Sequence, residues 1–450
     1  MKKFTNGCVK VMNKFLPDPF LFAIVLTIIV FLAGLIFTGQ GPFQMVQNWA
    51  GGFWNLLGFS MQMALVLVLG NAMAKAGVFK RLLEGLANLA KTPARAISIT
   101  AFVSVVACWI NWGFGLVIGA LLAKEMAKKV KKVDYRLLIA SAYSGFVVWH
   151  GGLSGSIPLK LTSLGADGFI ANTNGALDTV IPISQTVFSP MNLFISLIII
   201  FGLPFICRLM IPDEEHTLEV NPELIKDEPV KEVEIVTPAD KLEHSKIIWL
   251  LVLALGFTWI IHQFATKGIN ALTLNFVNFI FLFVGIMLHG NLKNYIFAFN
   301  ESVKGTAGIL LQFPFYAGIQ GMMVGHIGLP VDASLAAMIS NGFVSISNTT
   351  TFPLFTFLSA GIVNFFVPSG GGQWAVQGPI MIPAGLDIGV PAAKTAMAIA
   401  WGDAWTNMIQ PFWALPALGI AGLGAKDVMG YCVVTLLFAG AVAVLGMLIF

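Results

Sequence analysis

The sequence predicts an all-α polytopic membrane protein, an inverted repeat with two re-entrant hairpins, two broken helices and about nine full spans. Three observations support this fold class. Of the 450 residues, 57% are hydrophobic and only 11% are charged, and apolar runs near membrane-spanning length recur throughout. Glycine, proline and small polar residues interrupt several of these runs. Lys and Arg are concentrated in some connecting segments and nearly absent from others, the pattern that sets orientation in a membrane.

Two predicted spans, at about 19–37 and 53–74, begin the chain. Four lysines lie within the first fourteen residues, ahead of an apolar run that is longer than a signal-peptide core. We therefore expect an uncleaved first span and an N-terminus in the cytoplasm. An amphipathic helix over 78–90 follows the second span, and we expect it along the membrane interface.

A hairpin that enters the membrane without crossing it is predicted next. An apolar run over 96–110, a polar interruption and a second apolar arm to Ala123 lie between two strongly basic flanks. Basic flanks favour the cytoplasm, and each arm has only about ten to fifteen residues, short of the roughly 20 that a span needs. We expect a re-entrant hairpin whose tip carries Asn111, Trp112, Gly113 and Gly115.

The rest of the first half holds a broken helix and one further span. The apolar run from Leu137 is interrupted at His150 and again over 154–158. A segment over 162–185 with hardly any Lys or Arg predicts an external loop, and a span over 187–210 returns to the inside.

An acidic segment over 212–246 divides the chain. It holds eleven of the 22 acidic residues and few apolar side chains. Such a composition cannot bury enough apolar surface to fold, so a solvated cytoplasmic linker is predicted.

The second half begins with three predicted spans, at 247–264, 271–288 and 306–325. The stretch FFVPSGGGQW from Phe365 then places a proline, a serine and three glycines after an apolar run, which interrupts any helix there. Because no Lys or Arg occurs over 305–393, this second hairpin is expected to enter from outside. A second broken helix, interrupted over 403–411, and a final span follow.

The two halves repeat the same order of elements. Spans at 19 and 271, spans at 53 and 306, breaks at 111 and 368, and broken helices at 150 and 403 correspond with offsets of 252 to 257. The extra span reverses the second copy, so we divide the chain into a first repeat (1–211), the linker (212–246), a connecting span (247–266) and a second, inverted repeat (267–450). Such repeats are typical of secondary transporters, whose sites lie near the bilayer midplane.

Seven strings along the chain are distinctive: LPDP at Leu16, GFWNLLGFSMQMAL at Gly52, INWGFGLVIGA at Ile110, QFPFYAGIQ at Gln312, NFFVPSGGGQW at Asn364, QGPIMIPA at Gln377 and QPFWALPALGIAGLG at Gln410. Together they resemble the bacterial short-chain fatty acid transporter family, the type associated with acetoacetate and butyrate use. The resemblance extends over essentially the whole chain. It implies an inner-membrane permease for small monocarboxylates, in a superfamily whose members pair re-entrant hairpins with broken helices. Two positions depart from the family pattern: His150, where glycine is more usual, and Asp403, where glutamate is expected.

A carboxylate substrate needs hydrogen-bond donors and positive potential without a lipid-exposed cation, and helix N-termini at the two breaks offer both. The predicted substrate-binding residues are Ser369, Gly370, Gly371, Gly372 and Gln373 on one side, Asn111, Trp112, Gly113 and Gly115 on the other, and Ser154, Ser156, Asn407 and Gln410 in the broken helices. The same glycines can instead permit close helix packing, and the polar side chains can instead cap helices.

Asp403 and His150 are the predicted coupling-ion residues. Asp403 lies about twelve residues, or roughly 18 Å, into its span, which places a carboxylate near mid-bilayer. Such a carboxylate is by default functional, here as a proton carrier or as part of a sodium site with Asn407. The alternative is a carboxylate sealed into a hydrogen-bond network. His150 can titrate near neutral pH, or it can be a packing residue.

The sequence therefore predicts an uptake permease for short-chain monocarboxylates that works by alternating access in a bacterial inner membrane. Proton symport, sodium symport and uniport stay open, as do a sodium/proton antiporter and another organic-anion symporter. We expect no cofactor and no metal, a lipid bilayer as surroundings and no nucleic acid, and we leave a homo-oligomer open. An enzyme is disfavoured because no HExxH motif or paired aspartates occur at membrane depth.

Overall fold

The computed structural model describes residues 2–15, 19–162, 173, 175–221, 237–271, 273–330 and 333–450, and within these residues it is built from helices without strands. Three sequence predictions fall partly outside the described residues. They are the LPDP motif, of which 16–18 are not described, the predicted external loop over 162–185, of which 163–172 and 174 are not described, and the centre of the predicted linker, 222–236.

The first half of the chain contributes ten α-helices to the described structure. They are α1 (Lys2–Phe15), α2 (Pro19–Phe37), α3 (Pro42–Gly52), α4 (Leu57–Ala74), α5 (Gly77–Asn88), α6 (Pro93–Ile110), α7 (Trp112–Lys129), α8 (Tyr135–Ser144), α9 (Ser156–Lys160) and α10 (Pro190–Leu209). A 3-10 segment, Gly145–Gly151, separates α8 from α9 and confirms the first predicted broken helix.

The second half contributes the remaining described α-helices. They are α11 (Pro238–Glu243), α12 (Lys246–Lys267), α13 (Leu274–His289), α14 (Leu292–Val303), α15 (Ala307–Val324), α16 (Leu335–Ser345), α17 (Phe352–Asn364), α18 (Gly370–Asp387), α19 (Ala392–Thr406), α20 (Leu415–Ala421) and α21 (Ala425–Ile449). A turn and the 3-10 segment Pro411–Ala414 separate α19 from α20, which confirms the second broken helix.

Candidate membrane spans can be counted within the described residues. Among the described residues, six helical stretches are long and apolar enough to cross a membrane, or seven if the pair α4 and α5, bent by 73°, counts as one span. Helices α2 and α13, both predicted as spans, have 19 and 16 residues, and this number does not include their apolar stretches Ala23–Phe37 and Asn275–His289. The bend between α4 and α5 accords with the predicted amphipathic helix at the interface.

The first hairpin has longer arms than predicted. Helices α6 and α7 have 18 residues each, or about 27 Å, and pack along each other. The expected ten to fifteen residues were too few, since α6 already begins at Pro93 and α7 continues through its lysines to Lys129. Lys, Glu, Met and Ala all favour helix, so the end of the apolar run does not end α7.

The second hairpin breaks where the sequence predicts, but its glycines are helical. Helix α17 ends at Asn364, and α18 begins at Gly370 with Ser369 as its N-cap. The non-helical part is thus only 365–369, and the three glycines form the first turn of α18. Helix α17 packs along α19.

The two broken helices form the centre of the molecule. In the stretch Tyr135–Lys160, 94% of the apolar window is buried, whereas only 22% is buried in the stretch that contains α12. Helix α19 contacts α9, α17, α18 and the segment Gly145–Gly151. The hairpins and α10 surround this centre, which therefore has little surface left for lipid.

Candidate functional site

The first break, at Asn111, is held by hydrogen bonds to the first broken helix. Asn111 has extended backbone angles, and its side-chain oxygen accepts a hydrogen bond from the Phe114 N–H at 3.0 Å, so it caps α7. The Trp112 N–H donates to the Ser154 hydroxyl at 2.9 Å, and the Leu153 N–H donates to the Trp109 carbonyl at 2.7 Å. The tip of the first hairpin is thus fixed to residues 153 and 154.

The second break, residues 365–369, reaches the same broken helix from the other side. The Ser369 hydroxyl accepts a hydrogen bond from the Gly372 N–H at 3.2 Å and caps α18. A Cβ atom built on Gly370 would lie 2.1 Å from the Ser156 Oγ and 2.5 Å from the His150 Cε1. Only glycine fits this contact, so the first turn of α18 lies directly against His150 and Ser156.

An aromatic cluster connects the two breaks. The Trp413 indole donates to the Pro368 carbonyl at 2.9 Å, and its ring meets that of Trp112 edge-on with centroids 5.0 Å apart. Phe146 and Trp149 stack on each other and contact both tryptophans. Both breaks therefore belong to one buried region.

His150 and Asp403 form a fully buried pair within that region. The His150 Nδ1 lies 2.7 Å from the Asp403 Oδ2, and both side chains are 0% exposed. The Ile157 N–H donates to the His150 Nε2 at 3.1 Å, so this nitrogen is an acceptor. We infer from this network that the imidazole is neutral and that its proton is on the Nδ1, which donates a hydrogen bond to the Asp403 Oδ2. The Ser156 hydroxyl lies 3.1 Å from the same Nε2.

Amide side chains extend the polar region beyond Asp403. The Asn364 amide donates to the Asn407 Oδ1 at 3.1 Å and to the Thr406 hydroxyl at 2.9 Å. The Tyr143 hydroxyl donates to the Asn407 carbonyl at 2.6 Å. Gln410 donates to the Tyr316 hydroxyl at 2.9 Å, so it ties the second broken helix to α15.

Gln373 extends the region along α18. Its amide donates to the Ala360 carbonyl at 3.0 Å and to the Gln377 side chain at 2.7 Å. Gln377 in turn donates to the Ser359 hydroxyl at 2.9 Å. These bonds connect α18 to α17 through two glutamines.

Several buried polar atoms in this region have no hydrogen-bond partner among the described residues. They are the Asp403 Oδ1, the Asn407 Nδ2, the Asn364 Oδ1, the Gln373 Oε1 and the Gln320 Oε1. A buried polar atom without a partner costs roughly 1–3 kcal/mol, and a well-packed protein retains few of them. Other such atoms occur elsewhere in the described residues, for example in Asn71, Ser196 and Tyr295, so these five show only that hydrogen-bonding capacity is left open near the second break.

A family model described as "Short chain fatty acid transporter" matches residues 1–450 of this chain. The chain belongs to the short-chain fatty acid transporter family. Candidate short-chain fatty acid transporters of Escherichia coli (strain K12) and Haemophilus influenzae are each 44% identical to it over 441 residues, which is 97% of this chain and 97% and 96% of those proteins. The crystal structure of the Alcanivorax borkumensis YdaH transporter aligns with a TM-score of 0.49 at 16% identity, over 96% of this chain and 97% of that one.

This membership confirms the resemblance seen in the sequence and places the chain among multi-pass membrane transporters, not enzymes. Within the described residues, no group of three His, Cys, Asp or Glu side chains is arranged to hold a metal ion. No buried Lys or Arg occurs in the described part of the transporter either. An anion in the central region would therefore meet neutral donors and helix N-termini.

The structure places two predicted site residues of the transporter at helix contacts. A Cβ atom on Gly113 would lie 2.2 Å from the Val66 side chain of α4, and one on Gly115 would lie 2.4 Å from the Cys108 backbone nitrogen of α6. Both glycines therefore allow helices to approach closely. The binding role of these two glycines stays a prediction. Trp374, in α18 next to the predicted binding residue Gln373, is fully buried.

Several residues of the region were not singled out from the sequence. Asn192 of α10 donates to the Gly151 carbonyl at 2.8 Å and accepts from the Trp401 indole at 2.9 Å, so it holds the 3-10 segment next to His150. Asn364 and Gln377 are the others. The available signal was an isolated amide in an apolar span, which is costly in a membrane unless it has a partner.

Proposed function

We propose that this chain is a secondary transporter that takes up short-chain fatty acids or related small monocarboxylates, such as acetoacetate and butyrate, across a bacterial inner membrane. The observation that carries the proposal is the meeting of both helix breaks at one buried region with unpartnered polar atoms. The 44% identity to candidate short-chain fatty acid transporters supports the substrate class.

The carboxylate of the substrate binds at the start of α18 in this proposal. The N–H groups of Gly370 and Gly371 belong to the first turn, which has no intrahelical acceptors, and the helix dipole adds positive potential there. Ser154, Ser156 and Asn407 supply neutral hydrogen-bonding groups around it. Trp112 and Trp374 wall the short acyl chain.

Alternating access follows from movement of the hairpins and broken helices against the remaining spans. The N-terminus lies in the cytoplasm, and the hairpins enter from opposite sides of the membrane. An inverted repeat supports this arrangement because its two halves can exchange conformations to open either side.

The proposal is tested by uptake of labelled acetoacetate into proteoliposomes. Empty liposomes are the necessary control, because undissociated short-chain acids cross lipid unaided. Saturable uptake in excess of that control, inhibited by unlabelled butyrate, is expected. The absence of both uptake and exchange under any imposed pH or sodium gradient would refute the proposal.

A sodium/proton antiporter is the second candidate function, favoured by the unpartnered oxygen of the buried Asp403 carboxylate. Its test is the sodium dependence of proton movement in the same vesicles. Sodium-driven proton efflux without monocarboxylate would support the antiporter.

A further inference from the structure

Asp403 is a buried carboxylate whose two oxygens differ. Its Oδ2 faces the His150 Nδ1 at 2.7 Å, whereas its Oδ1 has no partner among the described residues. Both nitrogens of His150 are occupied, since the Ile157 N–H points at the Nε2 from 3.1 Å. A proton added to this pair without breaking a hydrogen bond can therefore go only to the Oδ1 of Asp403.

The other titratable and charged groups on the elements packed around Asp403 are few. His150 is the closest, and Tyr143 and Cys432 are neutral at physiological pH. The charged residues on α9, α18, α19 and α21 lie toward the ends of those helices; they are Lys160, Asp387, Lys394, Lys426 and Asp427. An ionised Asp403 consequently has only the neutral imidazole at hydrogen-bonding distance among the described residues.

The negative charge of the substrate affects the protonation of Asp403. A monocarboxylate bound at Gly370 would bring a second negative charge next to the His150 and Asp403 pair. Two like charges in a buried site repel strongly, so one of them is neutralised when both groups are present. A proton on Asp403 removes the repulsion. The Nδ2 of Asn407, the C-cap residue of α19, also has no partner among the described residues.

We propose that Asp403 carries the coupling proton of this transporter on Oδ1, and that His150 is the positioning residue that holds the carboxyl group ready to receive it. This inference rests on the proposed function. In the loading step an O–H bond forms on Asp403, the proton comes from water on the open side, and no other bond breaks. One monocarboxylate anion and one proton then cross together without net charge.

His150 connects proton loading to both helix breaks. Its ring contacts the start of α9 through the Ile157 N–H and the start of α18 through Gly370. A change in the orientation of the Asp403 carboxyl group therefore reaches the substrate-binding turn through one imidazole.

The first experiment measures proton uptake by the detergent-solubilised wild-type protein with a pH indicator. Saturating acetoacetate at pH 7.5 should draw about one proton from solution for each substrate bound. Ethanesulfonate, which stays ionised, should draw the same proton if it competes with acetoacetate. Binding of acetoacetate without proton uptake would overturn the proposal.

The second experiment compares Asp403→Asn with the control Asp387→Asn, which alters an exposed carboxylate at the end of α18. Asp403→Asn imitates the protonated acid. It should lose at least tenfold of the uptake driven by a pH gradient and retain exchange of labelled for unlabelled substrate. Asp387→Asn should behave as wild type. Retention of gradient-driven uptake in Asp403→Asn would overturn the proposal.

His150 is tested with two amide substitutions. His150→Asn can keep a donor near the position of the Nδ1, whereas His150→Gln places its amide near the Nε2. His150→Gln should move the pH midpoint of uptake upward, because an ionised Asp403 loses its donor, and His150→Asn should move it less. Equal pH profiles for wild type and His150→Gln would overturn the positioning role.

Failure of the inference and failure of the proposed function give different results. Uptake driven by a sodium gradient alone, with no proton uptake on binding, would refute proton coupling and leave the monocarboxylate transporter standing. No uptake, no exchange and no binding of any monocarboxylate by the wild-type protein would refute both.

Discussion

At the scale of single residues, the contact of Gly370 with His150 and Ser156 determines how closely the second hairpin approaches the first broken helix. We expect Gly370→Ala to reduce acetoacetate uptake at least tenfold, because a Cβ atom there would lie 2.1 Å from the Ser156 Oγ. The measurement is initial uptake at matched protein content in proteoliposomes.

Gly419→Ala is the matched control for Gly370→Ala. Gly419 lies in α20, and a Cβ atom there has no neighbour within 4 Å. Alanine in an unstrained helix favours folding by roughly 0.5–1 kcal/mol over glycine, so uptake should be unchanged. Equal activity of the two variants would contradict the close packing of α18 on His150.

The Trp413 indole gives a second prediction at this scale. Trp413→Phe leaves the Pro368 carbonyl without its donor, and we expect a loss of about 1–3 kcal/mol in stability. Thermal unfolding in detergent measures the effect. Trp54→Phe is the control because Trp54 is 60% exposed. Identical unfolding temperatures would show that the indole does not hold the second break.

The sequence offered candidate site residues, but it could not show which of them touch. Asp403 was selected as a carboxylate near mid-bilayer and His150 as a group that can titrate near neutral pH, yet the contact between them depends on the packing of distant helices. The sequence also could not predict that Gly113 packs against α4 and Gly115 against α6. A glycine at a helix break can permit an unusual backbone conformation, let a ligand approach the backbone or let two helices pack closely. The sequence alone does not distinguish these roles.

At the scale of elements, the caps at the two breaks decide where the hairpin helices begin. Asn111→Ala removes the acceptor for the Phe114 N–H, and we expect it to cost about 1 kcal/mol of stability. Asn111→Ser keeps a capping oxygen and should cost much less. Unfolding midpoints in detergent separate these outcomes. Equal losses in both variants would mean that Asn111 acts through something other than the cap.

Helix positions were predicted more accurately than helix lengths. Pro368 and Asn111 mark the breaks because proline lacks a donor and asparagine caps well, and these are local properties. The length of α7 was underestimated because its lysines end the apolar run without ending the helix.

At the scale of the whole molecule, His150 and Asp403 are separated by 253 residues, the same offset that relates the two predicted repeats. Residues related by a twofold axis can touch each other only near that axis. If the repeats 1–211 and 267–450 are related by a twofold axis, that axis passes close to His150 and Asp403. The division itself stays a prediction.

Alternating access predicts that a bond between the moving and the stationary part stops transport. A Cβ atom on Gly308 of α15 would lie 3.9 Å from the Leu415 Cβ of α20, a separation that suits a disulfide. We expect Gly308→Cys/Leu415→Cys, in a background with alanine at the four native cysteines, to lose uptake on oxidation and recover it on reduction. The single variants are the controls. Unaltered uptake in the fully cross-linked protein would contradict this movement.

The central claim is that both helix breaks frame one substrate site, and anomalous diffraction from crystals soaked in 4-bromobutyrate tests it most directly. The account predicts a bromine peak beside Trp112 and Trp374, with the carboxylate of the ligand at the first turn of α18. A peak confined to another place, such as the cavity of about 300 Å³ lined by Trp259, Gln263 and Phe276, would contradict it.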